Sequence, residues 1–387
     1  MHFRDNQLPY HYQVHNFLTK NDFDGLSAFL REHTEILMPD KELTLNPMLH
    51  LAGRYGSNQM AVILHEQLGE KAKILARRTV DEGWTPLHLA AVYGDADLMQ
   101  TLVDILGEEA PTVIAMPLTD NTQATALHLA MSEGKTASVN VLLNACRDKV
   151  AAIAALPLAD EWTALHLCVH CGDPEMVATL IQIIGKENAW PMAKVYLKSG
   201  MNILHLAAIS GDADTAALIL DLAEDMLYEL SQAKVGELDN ATPLNLAVQY
   251  GLTHMLKKLL VALKELAKPL CQKRMANGWN AFMQIAYFGN VEMLQAMIKV
   301  IGQADAEKMI MQPFSQLKDA TPFHMVINRG NVAMTKAMIA TVNKNNYTAL
   351  LNVAQTDGVK PIHLAKRFYN DNLLDVLLEI EAEAIAS

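Results

Sequence analysis

Thr85-Pro86-Leu87-His88-Leu89-Ala90 is a six-residue pattern that returns along nearly the whole chain. After it come Thr125-Ala126-Leu127-His128-Leu129-Ala130, Thr163-Ala164-Leu165-His166-Leu167-Cys168 and Asn202-Ile203-Leu204-His205-Leu206-Ala207. Thr242-Pro243-Leu244-Asn245-Leu246-Ala247 follows, then the most degraded copy, Asn280-Ala281-Phe282-Met283-Gln284-Ile285. Thr321-Pro322-Phe323-His324-Met325-Val326 and Lys360-Pro361-Ile362-His363-Leu364-Ala365 close the series, and Pro47-Met48-Leu49-His50-Leu51-Ala52 opens it. First positions are spaced 38, 40, 38, 39, 40, 38, 41 and 39 residues apart. Nine copies at so even a period are an internal repeat. A second mark holds the register. Nine residues after each first position sits a glycine: Gly56, Gly94, Gly134, Gly172, Gly211, Gly251, Gly289 and Gly330, with Tyr369 in the last copy.

The pattern has a mechanical reading. A Thr hydroxyl caps a helix, and Pro suits the first helical position, where no amide hydrogen is needed. Leu, Leu and Ala face a neighbour, and the glycine supplies a left-handed residue that ends the short helix. A second amphipathic helix follows, as in 97–106, with apolar residues at helical spacing. A polar turn such as Asp81-Glu82-Gly83 leads to the next Thr.

Helix, glycine turn, helix, and a hairpin finger feeding a T-P-L-H-x-A motif resemble the ankyrin repeat, over roughly residues 12 to 380. The resemblance implies an all-α ankyrin-repeat solenoid with short hairpin fingers. The period departs from the family: it is about 33 residues there and near 39 here. The surplus lies between the second helix and the finger, in pieces such as 70–78, 148–156 and 306–311, which read as a short third helix with one apolar face. Residues 1–46 are expected to form a degenerate N-terminal capping repeat, with Val14 and His15 at the Leu and His positions and Asn21 at the glycine. Eight tandem repeats are then expected over 47–359, and a C-terminal capping repeat with an acidic tail over 360–387.

Composition bounds the function. About half of the 387 residues are apolar, so the chain can bury a large core. Net charge is −12, which argues against nucleic acid or an anionic bilayer as the main partner. Four cysteines are too few for a disulfide scaffold and suit a reducing, cytoplasmic compartment. No apolar run approaches the 18 residues of a membrane span. A monomer without cofactor or metal is expected.

Half of the 14 histidines (His50, His88, His128, His166, His205, His324, His363) occupy the fourth motif position. The resemblance implies that this imidazole bridges the helix start to the neighbouring finger. His166-x-Cys168-x-His170-Cys171 offers zinc-type ligands, but His166 and Cys168 fill the ordinary His and Ala positions of the repeat. An enzyme using His170 and Cys171 is the remaining catalytic alternative. Lys257, Lys258, Lys264, Lys268, Lys273 and Arg274 form the one basic cluster, read as the solvated face of outer helices, with a docking patch for an acidic partner or a phosphoinositide-like headgroup as the alternative.

The family's partner contacts come mainly from the residue before the motif's Thr and the two residues before the helix-ending glycine. Those 27 positions would hold about 1.6 of the 23 aromatic residues by chance, and they hold nine. Aromatic side chains, with Arg, dominate interface hot spots. The resemblance thus implies a non-enzymatic protein–protein interaction scaffold that binds a protein or extended peptide in a concave groove. Its candidate residues are Tyr55, Trp84, Val92, Tyr93, Trp162, His170, Ile209, Tyr250, Trp279, Tyr287, Phe288, Arg329 and Phe368. The tail Glu379-Ile380-Glu381-Ala382-Glu383 also resembles the glutamate-rich C-terminal signals of some type IV secretion substrates. That second resemblance implies a bacterial virulence effector acting inside a eukaryotic cell.

Overall fold

A computed structural model of the protein describes residues 9–34, 48–367 and 371–386. The chain divides into two compact units, Met1–Met192 and Ala193–Ser387. Among the described residues there is no β-strand, only two isolated bridges, so the protein is all-α.

One repeat shows how the sequence builds the rest. Thr85 sits in extended backbone, and its hydroxyl accepts the amide of His88 while Pro86 opens the helix Pro86–Tyr93. Leu87, Leu89 and Ala90 on that helix are fully buried. The chain then turns at Gly94, and the Asp95 carboxylate caps the second helix, Ala96–Leu106, through the amide of Leu98. Leu98, Met99, Leu102 and Leu106 complete the buried layer. Each fully buried aliphatic side chain contributes about 1.5–3 kcal/mol, so the layer between adjacent repeats outweighs any single cap.

The extra residues of the long period are a third element. A short 3-10 turn, Gly107–Glu109, leads into the helix Ala110–Ile114, whose Val113 and Ile114 are buried. This helix packs on the second helix of the following repeat, Thr136–Cys146. Ala72–Ala76 does the same against Ala96–Leu106 in the first unit, and Gln303–Met311 against Val332–Thr341 in the second. The surplus is therefore an inter-repeat brace.

In the first unit the helix pair Pro9–Lys20 and Phe23–Glu32 precedes the repeats, with Val14, Leu18 and Leu26 buried. Asn21 between them has φ +53°, the conformation a glycine takes in other copies. A backbone bond across the base recurs in the described fingers. The amide of Val80 donates to the carbonyl of Trp84, Leu158 to Trp162, and in the second unit Met275 to Trp279. Neighbouring fingers are stitched by single bonds, Thr119 N–H to Glu82 O at 2.9 Å and Thr356 N–H to Lys318 O at 2.8 Å.

The helix-ending glycines are not uniform. Six have positive φ, as the motif predicts, but Gly94 and Gly289 are extended, with φ of −86° and −80°. Their need for glycine is steric. A Cβ at Gly94 would lie 2.9 Å from the Ala90 carbonyl oxygen, and one at Gly289 2.8 Å from that of Ile285.

Candidate functional site

Three motif histidines, His50, His88 and His205, bridge to the next finger. Nδ1 of His88 accepts from the Thr85 amide at 3.2 Å and from its hydroxyl at 2.8 Å, which leaves the ring proton on Nε2. That nitrogen donates to the Met116 carbonyl at the base of the next finger, 3.0 Å away. His50 reaches Trp84 O at 3.1 Å, and His205 reaches Ala241 O at 3.4 Å. Burial pushes the pKa of His50, His88, His128 and His205 down to about 4, so these rings stay neutral at pH 7. A neutral ring is what the bridge requires, one acceptor and one donor.

One of the two repeats without this histidine solves the same problem differently. Asn245 takes the cap, with Thr242 Oγ1 donating to its Oδ1 at 2.7 Å. Its Nδ2 then donates to Oε1 of Gln284, 2.7 Å away in the next repeat, where both side chains are buried. The degraded copy 280–285 is thus matched to its neighbour.

The Cys/His cluster does not assemble. Thr163 Oγ1 lies 2.8 Å from His166 Nδ1, Cys168 is fully buried, and Cys171 Sγ donates to the Met131 carbonyl at 2.9 Å. Burial raises the pKa of both thiols above the usual cysteine range. That disfavours the thiolate needed by a nucleophile or a zinc ligand. Among the described residues no three His, Cys, Asp or Glu side chains converge on a metal position. The basic cluster is also partly neutralised, by Lys257 with Glu292 and Lys268 with Asp305.

The aromatic positions behave otherwise. In the first unit Tyr55 and Tyr93 are exposed at the ends of their helices, Tyr93 by 53%. Lys135 fixes the backbone around Tyr93, since its ammonium donates to the carbonyls of Val92 at 2.6 Å and Gly94 at 2.7 Å. Tyr55 shares a hydrogen bond with His15 Nδ1 at 3.0 Å. Trp84 and Trp162 are half-buried, each with its ring edge-on to the motif histidine of its own helix, at 6.1 and 6.3 Å. Trp162 also meets the exposed His170 at 5.4 Å. Val92 is half-buried beside Tyr93 in sequence.

The second unit brings candidates into one cluster. Trp279, on its finger, meets Tyr287 at 5.3 Å and Phe288 at 6.1 Å, and these two rings lie 4.7 Å apart. The Arg329 guanidinium sits 4.5 Å above the Tyr287 ring, a cation–π contact. Phe288 and Tyr250 are nearly half exposed, whereas Tyr287 and Ile209 are half-buried. Phe368 lies outside the described residues. Sequence reasoning named the members of this cluster but not the cation–π contact, whose partners stand 42 residues apart.

Comparison with known proteins agrees with this architecture. A family model for ankyrin repeats in three copies matches residues 49–153, and a single ankyrin repeat model matches 160–189. Over 102 residues the chain is 31% identical to ankyrin repeat domain-containing protein 13C of Homo sapiens. The match covers 26% of this chain and 17% of that protein. The family models thus place ankyrin repeats at residues 49–153 and 160–189, and the capped helix pairs, glycine turns and fingers continue the same all-α architecture through the other described repeats.

Proposed function

We propose that this chain is a non-enzymatic scaffold that binds a partner protein or extended peptide through the aromatic ends of its first helices. The observation that carries this reading is the cluster of Trp279, Tyr287 and Phe288 beneath Arg329, where large rings remain partly open to solvent on a braced helical frame. Rings of this kind give large contact area at low entropic cost. The open side chains are held by an already ordered backbone, so little ordering remains to be paid on binding.

Affinity capture from a eukaryotic lysate tests the reading, with Tyr93→Ala and Phe288→Ala as the variants. Each exposed ring is expected to contribute about 1–2 kcal/mol, so each variant should weaken capture about tenfold. Helical content and thermal midpoint should not change, because both rings lie at helix ends. Normal capture by both variants would remove the assignment. Action inside a host cell is a separate proposal motivated by the glutamate-rich tail. It predicts that removal of 378–387 abolishes translocation while the purified protein still binds its partner.

A further inference from the structure

We propose that the aromatic and cationic face of the second compact unit docks an acidic segment of a partner protein, an assignment that rests on the scaffold reading above. Although the chain carries −12 overall, residues 251–367 hold fifteen Lys and Arg against six Asp and Glu, a local excess of +9. Carboxylates of the unit answer part of this excess. On the outer helices Lys257 pairs with Glu292, Lys268 with Asp305, and Lys344 with Glu383 at 2.8 Å.

Four other cations of the unit are held differently. Arg329 lies over Tyr287, and Arg274 lies 4.8 Å above the ring of Phe314. Lys273 donates to the carbonyl of Gln232 at 2.6 Å, and Lys360 to Oδ1 of Asn352 at 2.9 Å. Among the described residues no carboxylate pairs with any of these four. A guanidinium resting on a ring still presents its N–H edge to an incoming carboxylate. The helices Ala281–Phe288, Pro322–Asn328 and Pro361–Arg367 pack in succession. The C-terminal ends of these successive helices carry Phe288, Arg329 and Arg367, an apolar ring followed by two cations within the two positions before the helix-ending residue.

The chemistry that fits these residues is a short segment with an apolar anchor flanked by Asp or Glu. A long polyanion fits worse, because the remaining residues of the chain carry −21 and would repel it. Attraction of this kind is screened beyond about 10 Å at 0.1 M salt, so it acts on a segment seated on this face.

The test uses the full chain. Phage-displayed random dodecapeptides are selected on it, and enriched peptides are synthesised and titrated by fluorescence polarisation. The expected winners carry net negative charge with an aromatic or leucine anchor. Their affinity should fall about tenfold for Arg329→Glu combined with Arg367→Glu, and fall again as salt rises. Lys258→Glu, on the outer helix Thr253–Leu263, should leave it unchanged. Neutral or basic winners overturn the acidic assignment. So does loss of binding in Phe288→Ala but not in the charge reversal, and in both cases the scaffold reading still stands. Tighter binding of a single-stranded oligo-dT probe would assign the face to nucleic acid and overturn the proposal. No enrichment over bare support would sink both readings.

Discussion

Two exposed residues stand in a backbone conformation that favours glycine. The second helix ends at Gly69 in one repeat and Gly107 in the next, with φ/ψ of 53°/−131° and 55°/−122°. The equivalent residues are Arg147, at 51°/−129°, and Lys264, at 50°/−127°. A side chain in this region costs on the order of 1–3 kcal/mol, whereas glycine costs about 0.5–1 kcal/mol in unfolded-state entropy. The strain is the larger effect. Lys264→Gly and Arg147→Gly are therefore expected to stabilise the protein by about 1 kcal/mol each, read from the urea midpoint at constant slope. A lower midpoint would show that the turn tolerates Cβ without strain. The sequence alone hid this, because a glycine preference is visible only once the two non-glycine copies are placed in the same backbone.

Between elements, the buried amide pair makes a sharper test of how one repeat grips the next. Gln284→Leu restores the residue type usual at that position but leaves Nδ2 of Asn245 buried without its acceptor. An unsatisfied buried donor costs about 1–3 kcal/mol, and Gln284→Leu should lose about that much. Adding Asn245→His should recover most of the loss, since His205 in the equivalent place reaches a finger carbonyl instead. A double variant as unstable as the single one would refute the coupling. Elements were largely legible in the sequence: helix starts from Thr and Pro, helix ends from glycine, and the third helix from the surplus at 70–78 and 306–311. What the period could not show is where that helix packs, because its partner is the following repeat. The same limit applies to the site. Position in the repeat singled out Trp279, Tyr287, Phe288 and Arg329, but their mutual contacts depend on ring orientation. The motif implies a left-handed residue at Gly94 and Gly289, and only the approach of the Ala90 and Ile285 carbonyls shows why glycine is required there without it.

Over the whole chain, repetition multiplies one titration. Three motif imidazoles pushed down to about 4 lie in the first compact unit (His50, His88 and His128), and one, His205, lies in the second, where burial lowers His324 as well. Asn245 and Met283 replace two more in the second unit. Because the folded value lies below the free value of 6.5, the unfolded chain takes up the proton first as pH falls. Stability is therefore complete above pH 6.5, declines between 6.5 and about 4, and loses nothing more from this source below that. Each pKa unit corresponds to about 1.4 kcal/mol, so a single imidazole can withdraw up to about 3 kcal/mol, against a net stability of about 5–15 kcal/mol for a domain. The first unit, with three such rings, should open before the second. Hydrogen exchange at pH 5 is expected to show protection lost over 48–192 while 203–352 stays protected, with the two stretches alike at pH 7.5. Loss in the reverse order would mean that acid acts through the carboxylates and not through these rings. His88→Asn separates the two causes, since an amide keeps a cap of the kind Asn245 makes but cannot take up a proton. In that variant the opening of the first unit should move to lower pH.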